Sequence, residues 1–587
     1  MRPRTRLRFI LAFVFLATLF PLNSCRQGGE PGTLVIAIEQ APRGFDPRFS
    51  TGIVPSARIM QLIYDTLVIK NERFEFVPYL ADLYNESADH REFSFHLRPG
   101  VVFHNGKQLT SADVKYTFES ILAPETKSPI RGAVDKISSV ETPDERTVIF
   151  HAREPFYTFI GNLPAIGIIP EGAGQENINA PVGTGPFRFV SYNEGEPVVL
   201  ESNPNYWDGA PSLARVLVKY VPDNSTRQAE LMSGAVDLAY NAQFDPETIR
   251  ALSGRKDIQV SVSEGANIGY LGLNLSGASK LADPRLRQAI AYAIDPEVII
   301  HRLLRDQARP ARAILPPEHW ASNREVKIYD HDPHRAIQML EEAGYTDPDG
   351  DGPLPRLQLG LLTSTNQLSR NIASVLQDQL RMVGIQLQLQ SLESATLLDK
   401  INKAQFDMYY LIGVGFNQLT DVFQFVYHSR YQNPEFNDSI ARLRLAQNNL
   451  DWPPLLDRVH SILARHEFCP NAEADRLLKM AEASVSDASR RQYYLQIASQ
   501  LTDRGGQNRM RYCNPELDSQ IEEAEREYDR SKQIEAYGAI QRTVSQDLPQ
   551  IYLWYPANVL IARSRVGNIQ VEPSGSWYFI SKLTLVR

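Results

Sequence analysis

Cysteine is scarce. Only Cys25, Cys469 and Cys513 occur in 587 residues, which excludes a disulfide-built scaffold and a cysteine-ligated zinc module. A surplus of positive charge is also missing. Lys plus Arg number 61 against 69 Asp plus Glu, a formal charge of −8, and this argues against a nucleic-acid binder, whose surface carries a basic excess. Catalytic signatures are missing too. There is no G-x-S-x-G, no H-E-x-x-H and no phosphate loop, and His466-Glu467 lacks the second histidine of the zinc motif. The 11 histidines are scattered. His331 and His334 flank Pro333, His301 and His319 stand alone, and no set has ligand spacing. Asp347-Pro-Asp-Gly-Asp-Gly352 begins like a calcium loop, but the twelfth position is Gln358 where a bidentate Glu is needed, so it reads as an acidic surface turn. No catalytic residue, metal ligand or cofactor is assigned.

What is present is a globular composition, 43% hydrophobic and 22% charged, which excludes disordered, collagen-like and polytopic membrane chains. At about 100–200 residues per domain the length implies several domains or one large multi-lobed body. The first segment stands apart. Arg2, Arg4, Arg6 and Arg8 precede an apolar run from Phe9 to Leu22 that ends in Leu22-Asn-Ser-Cys25. A basic head, a short apolar run and small residues before a cut site make a secretory signal over 1–25. The run is shorter than the roughly 20 residues of a permanent membrane span. Its end resembles a bacterial lipobox, which would make Cys25 an acylated lipid anchor and 26–32 a flexible tether. The plain alternative is a signal peptide with an incidental cysteine.

Beyond the tether, Thr33-Leu-Val-Ile-Ala-Ile38 reads as a buried strand. Ile59, Leu62, Ile63 and Leu67 follow with helical period. Phe93, Phe95 and Leu97, then Val101 and Phe103, alternate in hairpin fashion around Arg98-Pro-Gly100 and Asn105-Gly106. Thr110 or Ser111 caps the next helix. Gly183-Thr-Gly-Pro186 marks a close backbone approach or a sharp turn. From Asp283 the pattern turns mainly helical. Strands are expected at 357–362 and 385–389, either side of a helix over 371–383 that Gly384 ends. Residues 431–547 read as almost wholly helical, and the tail returns to strands at 550–555, 559–562 and 582–586. The whole suggests an α/β architecture in which the tail rejoins the first domain and several strands form a hinge.

Several of these segments, in order, resemble the family 5 solute-binding lipoproteins, the peptide-, oligopeptide- and nickel-binding proteins of ABC importers. They are Gly44-Phe-Asp-Pro47 with Leu62-Ile-Tyr-Asp-Thr-Leu67; Phe93 to Gly100 through Phe103-His-Asn-Gly106 and Leu109 to Tyr116; Gly183-Thr-Gly-Pro-Phe187 with Asn203-Pro-Asn-Tyr-Trp207; Ser233-Gly-Ala-Val-Asp237; Arg285 to Asp295; and Tyr512 to Asp518 with Asp547 to Trp554. The resemblance implies a two-lobed periplasmic binding protein of type II architecture with an extra domain, three domains in all and a hinge between lobes. Domain I would comprise 33–69, 184–280 and 553–587, domain II 70–183, and domain III 281–552. It also implies an exported protein of the periplasm or outer cell surface, a monomer that captures a peptide or peptide-like ligand and docks on ABC permease subunits, with no chemistry of its own. A non-peptide ligand such as a nickel chelate or sugar, a sensory role, and a secreted hydrolase are the alternatives. The segment Phe406 to Asp421 resembles the family's strand and ligand loop, in which an Asp often pairs with a peptide's ammonium. Val414 stands where Trp is frequent, Asn417 at or beside the Asp, and Asp421 four residues on. Asn417, Asp421 and Phe45 are the candidate ligand-binding residues.

Family members pass quickly from a segment like Tyr427-His-Ser429 to one like Asn508-Arg to Pro515. Here 431–504 intervenes as an apparent helical insertion. Tyr431-Gln-Asn-Pro-Glu435 and Asn471 to Leu478 echo Tyr512-Cys-Asn-Pro-Glu516 and Asn514 to Ile521, which suggests an internal duplication. In an oxidising compartment Cys469 and Cys513 could staple the insertion to its lobe, if their Cα atoms lie within about 7 Å.

Overall fold

The computed structural model describes residues 31–586 except 50–53, 175–176, 178, 241–243, 277–278, 351, 414–422, 424–425, 430–433, 447–450, 465–468, 470–471, 503–507 and 528. The signal and lipid-anchor assignments at 1–25, Cys25 included, most of the tether, and Asn417 and Asp421 lie outside the described residues. Among the described residues no helix is long and apolar enough to cross a membrane.

A seven-stranded sheet forms the first lobe, in the order 258–263, 558–563, 238–240, 33–38, 215–220, 198–202, 187–191. Its central strand, Thr33–Ile38, pairs in parallel with Arg215–Tyr220 on one side and Leu238–Tyr240 on the other. Both faces are covered, which explains the unbroken apolar run. Leu34 and Ile36 pack beneath the helix Val54–Ile63, while Ala37 faces the opposite core with Leu231 and Ile249. A four-stranded antiparallel sheet, in the order 81–86, 92–97, 147–152, 137–141, adjoins it and packs on the helix Ser111–Leu122. Thr110 is that helix's N-cap, and Asp113 accepts from its backbone N–H at 2.8 Å.

The hairpin expected over 93–106 does not form. The strand Glu92–Leu97 pairs with 81–86 and 147–152, and 101–109 contributes only a Val102–Gln108 bridge. Val101 and Phe103 are nevertheless buried with Phe93 and Phe95 in one core. The alternation reported burial, which strand partners from distant segments satisfy equally well.

The second lobe holds a six-stranded sheet, in the order 308–310, 550–556, 268–273, 408–413, 357–364, 385–392. The strands Leu357–Ser364 and Ile385–Leu392 pair in parallel and are joined by the helix Gln367–Arg381. Gly384 follows that helix with φ of +83°. The chain passes between the two sheets twice in this region, between Ser263 and Ile268 and at Ala557 between Pro556 and Asn558. Asn558 is buried and its Nδ2 donates to Glu264 O at 3.3 Å and to Pro573 O at 3.0 Å, so the two crossings are tied side by side.

Helices Pro434–Leu445, Trp452–Leu463, Ala472–Glu482 and Asp487–Thr502 enclose a core of their own, built on Phe436, Leu456, Val459, Ile462, Leu477 and Tyr494. Cys469 and Cys513 are bonded, with Cα atoms 5.5 Å apart. The flanks of this bundle meet. Asn508 Nδ2 donates to His428 O at 3.2 Å, and Asn514 N donates to Ser429 Oγ at 2.8 Å. Long insertions at closed surface connections cost little, about 0.6 kcal/mol per doubling of length. Deleting 431–504 in a Cys513→Ser background is therefore expected to leave a cooperatively folded protein with the circular dichroism of its remaining parts. A molten or aggregated product would show that the bundle is integral to the lobe.

Candidate ligand-binding cleft

The register of the two sheets shows which edges face each other. In the first lobe Ile38 pairs with Tyr220, Tyr240 with Leu560 and Ser263 with Asn558. The carboxyl ends of four strands thus share the edge from which both crossings leave. In the second lobe Ile268, the first strand residue after a crossing, pairs with Gly413, and Ala308 pairs with Pro556. The parallel strands beside it end at Ser364 and Leu392 on the same side. Open α/β sheets bind ligands outside the carboxyl ends of their strands, and pockets favour domain interfaces. The space between these edges is the candidate site.

Among the described residues the lobes touch at three places. Beside the hinge, Arg309 Nε lies 2.8 Å from Glu264 Oε2 and Nη1 2.6 Å from Glu318 Oε1, with the guanidinium 5.3 Å above the Tyr555 ring. Burial opposes its charge, yet the bond to Glu318 and the charges of Glu318 and Glu264 hold the Arg309 pKa above its usual value. The same bond draws Glu318 below the usual carboxylate range. Further along, Arg305 Nε donates to Glu247 Oε1 at 2.7 Å. Elsewhere the tip of the 68–78 hairpin docks on the second lobe. Phe74 is 1% exposed with φ of +63°, and its ring stacks on His319 at 5.5 Å. Arg530, 3.1 Å from Glu75 Oε1, lies 3.2 Å above the Trp320 ring.

The strand Met408–Gly413 ends at the cleft edge, directly before the segment that carries Asn417 and Asp421. Phe45, expected at the ligand, has its ring in the first-lobe core, 5.7 Å from Phe189 and 5.5 Å from Tyr192. The adjacent Asp46 and Arg48 form a buried ion pair at 2.6 Å, and Asn177 donates to Asp46 at 3.0 Å. This turn is a built structural knot. Glu264, Arg309 and Glu318 were missed because they come from separate segments with no spacing to betray them. A cavity of ≈ 150 Å³ opens elsewhere, lined by residues of the second lobe such as Ile294, Asp295, Lys327 and Tyr329. Among the described residues no three His, Cys, Asp or Glu are arranged to hold a metal.

Two α/β lobes joined by adjacent crossings, with strand ends facing across a cleft, define a two-lobed binding protein. The chain belongs to the bacterial extracellular solute-binding proteins, family 5, whose family model (the middle region) matches residues 75–435. It is similar to di/tripeptide-binding protein 2 of Pseudomonas aeruginosa, 24% identical with 98% of each chain covered. It is also similar to the oligopeptide-binding protein AppA of Bacillus subtilis, 24% identical over 96% of this chain and 94% of that one. Among solved structures the fold matches NikZ of Campylobacter jejuni, in complex with Ni(L-His), at a TM-score of 0.68 and 21% identity, covering 94% of this chain and 99% of that one. It matches AppA of Bacillus subtilis, in complex with a nonapeptide, at 0.66 and 22%, covering 96% and 99%.

Proposed function

We propose that this protein is the exported receptor of an ABC importer, which captures peptides or peptide-like solutes between its lobes and delivers them to membrane permeases. The observation that carries the reading is the register of the two sheets, which brings the strand ends of both lobes to the adjacent crossings that join them. Membership of an extracellular solute-binding family and relatives named for di-, tri- and oligopeptides support it. In this reading the segment after Gly413 brings Asn417 and Asp421 to the ligand, while Phe45 backs the turn beside it. Cys25 is the lipid anchor, so Cys25→Ser releases the protein from membranes into the exported soluble fraction.

The test is mass spectrometry of whatever copurifies with protein made in its native host, followed by small-angle scattering with and without that compound. A bound peptide and a smaller radius of gyration on saturation are expected. A non-peptide ligand would overturn the substrate class, and an unchanged radius would overturn closure. With a peptide in hand, Asp421→Ala should weaken binding more than Asn417→Ala, because a hydrogen bond to a charged group contributes about 1.5–3 kcal/mol against about 1 for a neutral one.

A further inference from the structure

The first-lobe sheet has a point where its connections part. The strand Thr33–Ile38 leads into the helix Val54–Ile63, which covers one face. Its parallel neighbour Arg215–Tyr220 leads into the helix Asn224–Ser233, whose Leu231 packs on the opposite face with Ala37 and Val221. Adjacent parallel strands whose helices leave to opposite faces open a crevice beyond their carboxyl ends, and ligands of open α/β sheets bind in that crevice. Glu39 is the first residue past Ile38 at this point.

Glu39 Oε2 is buried, and among the described residues it accepts no hydrogen bond. Arg58 stands on the helix over one face and Arg227 on the helix over the other, and the charge of Glu39 holds up both guanidinium pKa values against burial. The Arg58 guanidinium packs 5.5 Å from the Tyr240 ring and 6.0 Å from the Trp577 ring, and burial lowers its pKa against the pull of Glu39. On the same edge Ser263, the last residue of its strand, holds a buried hydroxyl that has no partner among the described residues. A buried acceptor left without a donor is costly, and native structures supply one.

We propose that Glu39 is a ligand-binding carboxylate of the first lobe, which accepts an N–H hydrogen bond from the captured solute. The donor is an α-ammonium or a backbone amide. The proposal rests on the peptide-capture reading above. Wild-type protein and Glu39→Gln, stripped of copurifying ligand, are compared by native mass spectrometry against an equimolar pool of tripeptides, each present with a free and with an acetylated amino terminus. Unchanged thermal melting of Glu39→Gln shows that the fold is kept. The expected result is about tenfold weaker capture by Glu39→Gln, the scale of losing a charge-assisted bond. A loss confined to free-amine peptides assigns Glu39 to the ammonium, and a loss for both forms assigns it to a backbone amide. Equal capture by the two proteins overturns the role of Glu39 and leaves the receptor reading standing. Capture of no peptide by wild-type protein overturns both.

Discussion

Gly265→Ala should destabilise the protein by about 2–3 kcal/mol and hold the lobes apart in scattering measurements. Gly265 lies in the crossing between Ser263 and Ile268. A Cβ placed on it would stand 2.0 Å from Pro556 O and 3.2 Å from Pro556 C, atoms of the other crossing's backbone. Backbone cannot rotate out of the way as a side chain does, so the crossings must separate. Separation would strain the Asn558 bonds to Glu264 O and Pro573 O and the Arg309–Glu264 pair that flank this point. Gly254 provides the control. It ends a helix at φ of −79°, and its Cβ would meet nothing nearer than Ala251 O at 3.8 Å. Gly254→Ala should therefore melt with the wild type. If Gly265→Ala does the same and gives the wild-type radius of gyration, the crossings are looser than the geometry requires.

Local regularities were readable in the sequence; long-range partnerships were not. The six-residue run 33–38 announced a buried strand because both faces of a parallel strand are covered, and the strand–helix–strand unit over 357–392 announced itself by the change of period. The close approach expected at Gly183-Thr-Gly-Pro186 is real, since a Cβ on Gly183 would stand 2.1 Å from Ile63 O. Partners far apart in sequence stayed hidden. Asp237 belongs to a segment noticed only by family resemblance. It is 1% exposed and accepts from Val35 N at 2.9 Å and from Arg565 Nε at 2.6 Å, 328 residues away. The cleft divides in the same way. Resemblance pointed to the segment after Gly413, but Glu39, Glu264, Arg309 and Glu318 acquire meaning only when two sheets are set edge to edge.

Asp65→Ala should remove about 3 kcal/mol or more of stability, because it strands three donors at once. The Asp65 carboxylate is fully buried. It accepts from Trp207 Nε1 at 2.9 Å, Thr184 Oγ1 at 3.0 Å and Tyr206 O–H at 3.2 Å. Three segments recognised separately in the sequence, 62–67, 183–187 and 203–207, thus meet on one side chain. Burial pushes the Asp65 pKa from 3.8 up to about 6, against the pull of those donors. The folded state therefore holds this proton more tightly than the unfolded state. The resulting contribution is fully present below the ordinary carboxyl value and is lost as pH rises through about 6. His104, which bridges the same glycines through Gly185 O at 3.0 Å and Gly183 N at 3.3 Å, acts in the opposite sense. Burial pushes it from 6.5 down to about 4, so its contribution is present above its ordinary value and lost as pH falls toward 4. Between about pH 4 and 6 the two oppose each other. Asp65→Asn removes one side of that balance. Urea unfolding across this range should show the variant losing stability toward acid more steeply than the wild type, with every other carboxylate cancelling in the difference. Parallel profiles would mean that Asp65 titrates in the folded protein as an ordinary carboxylate.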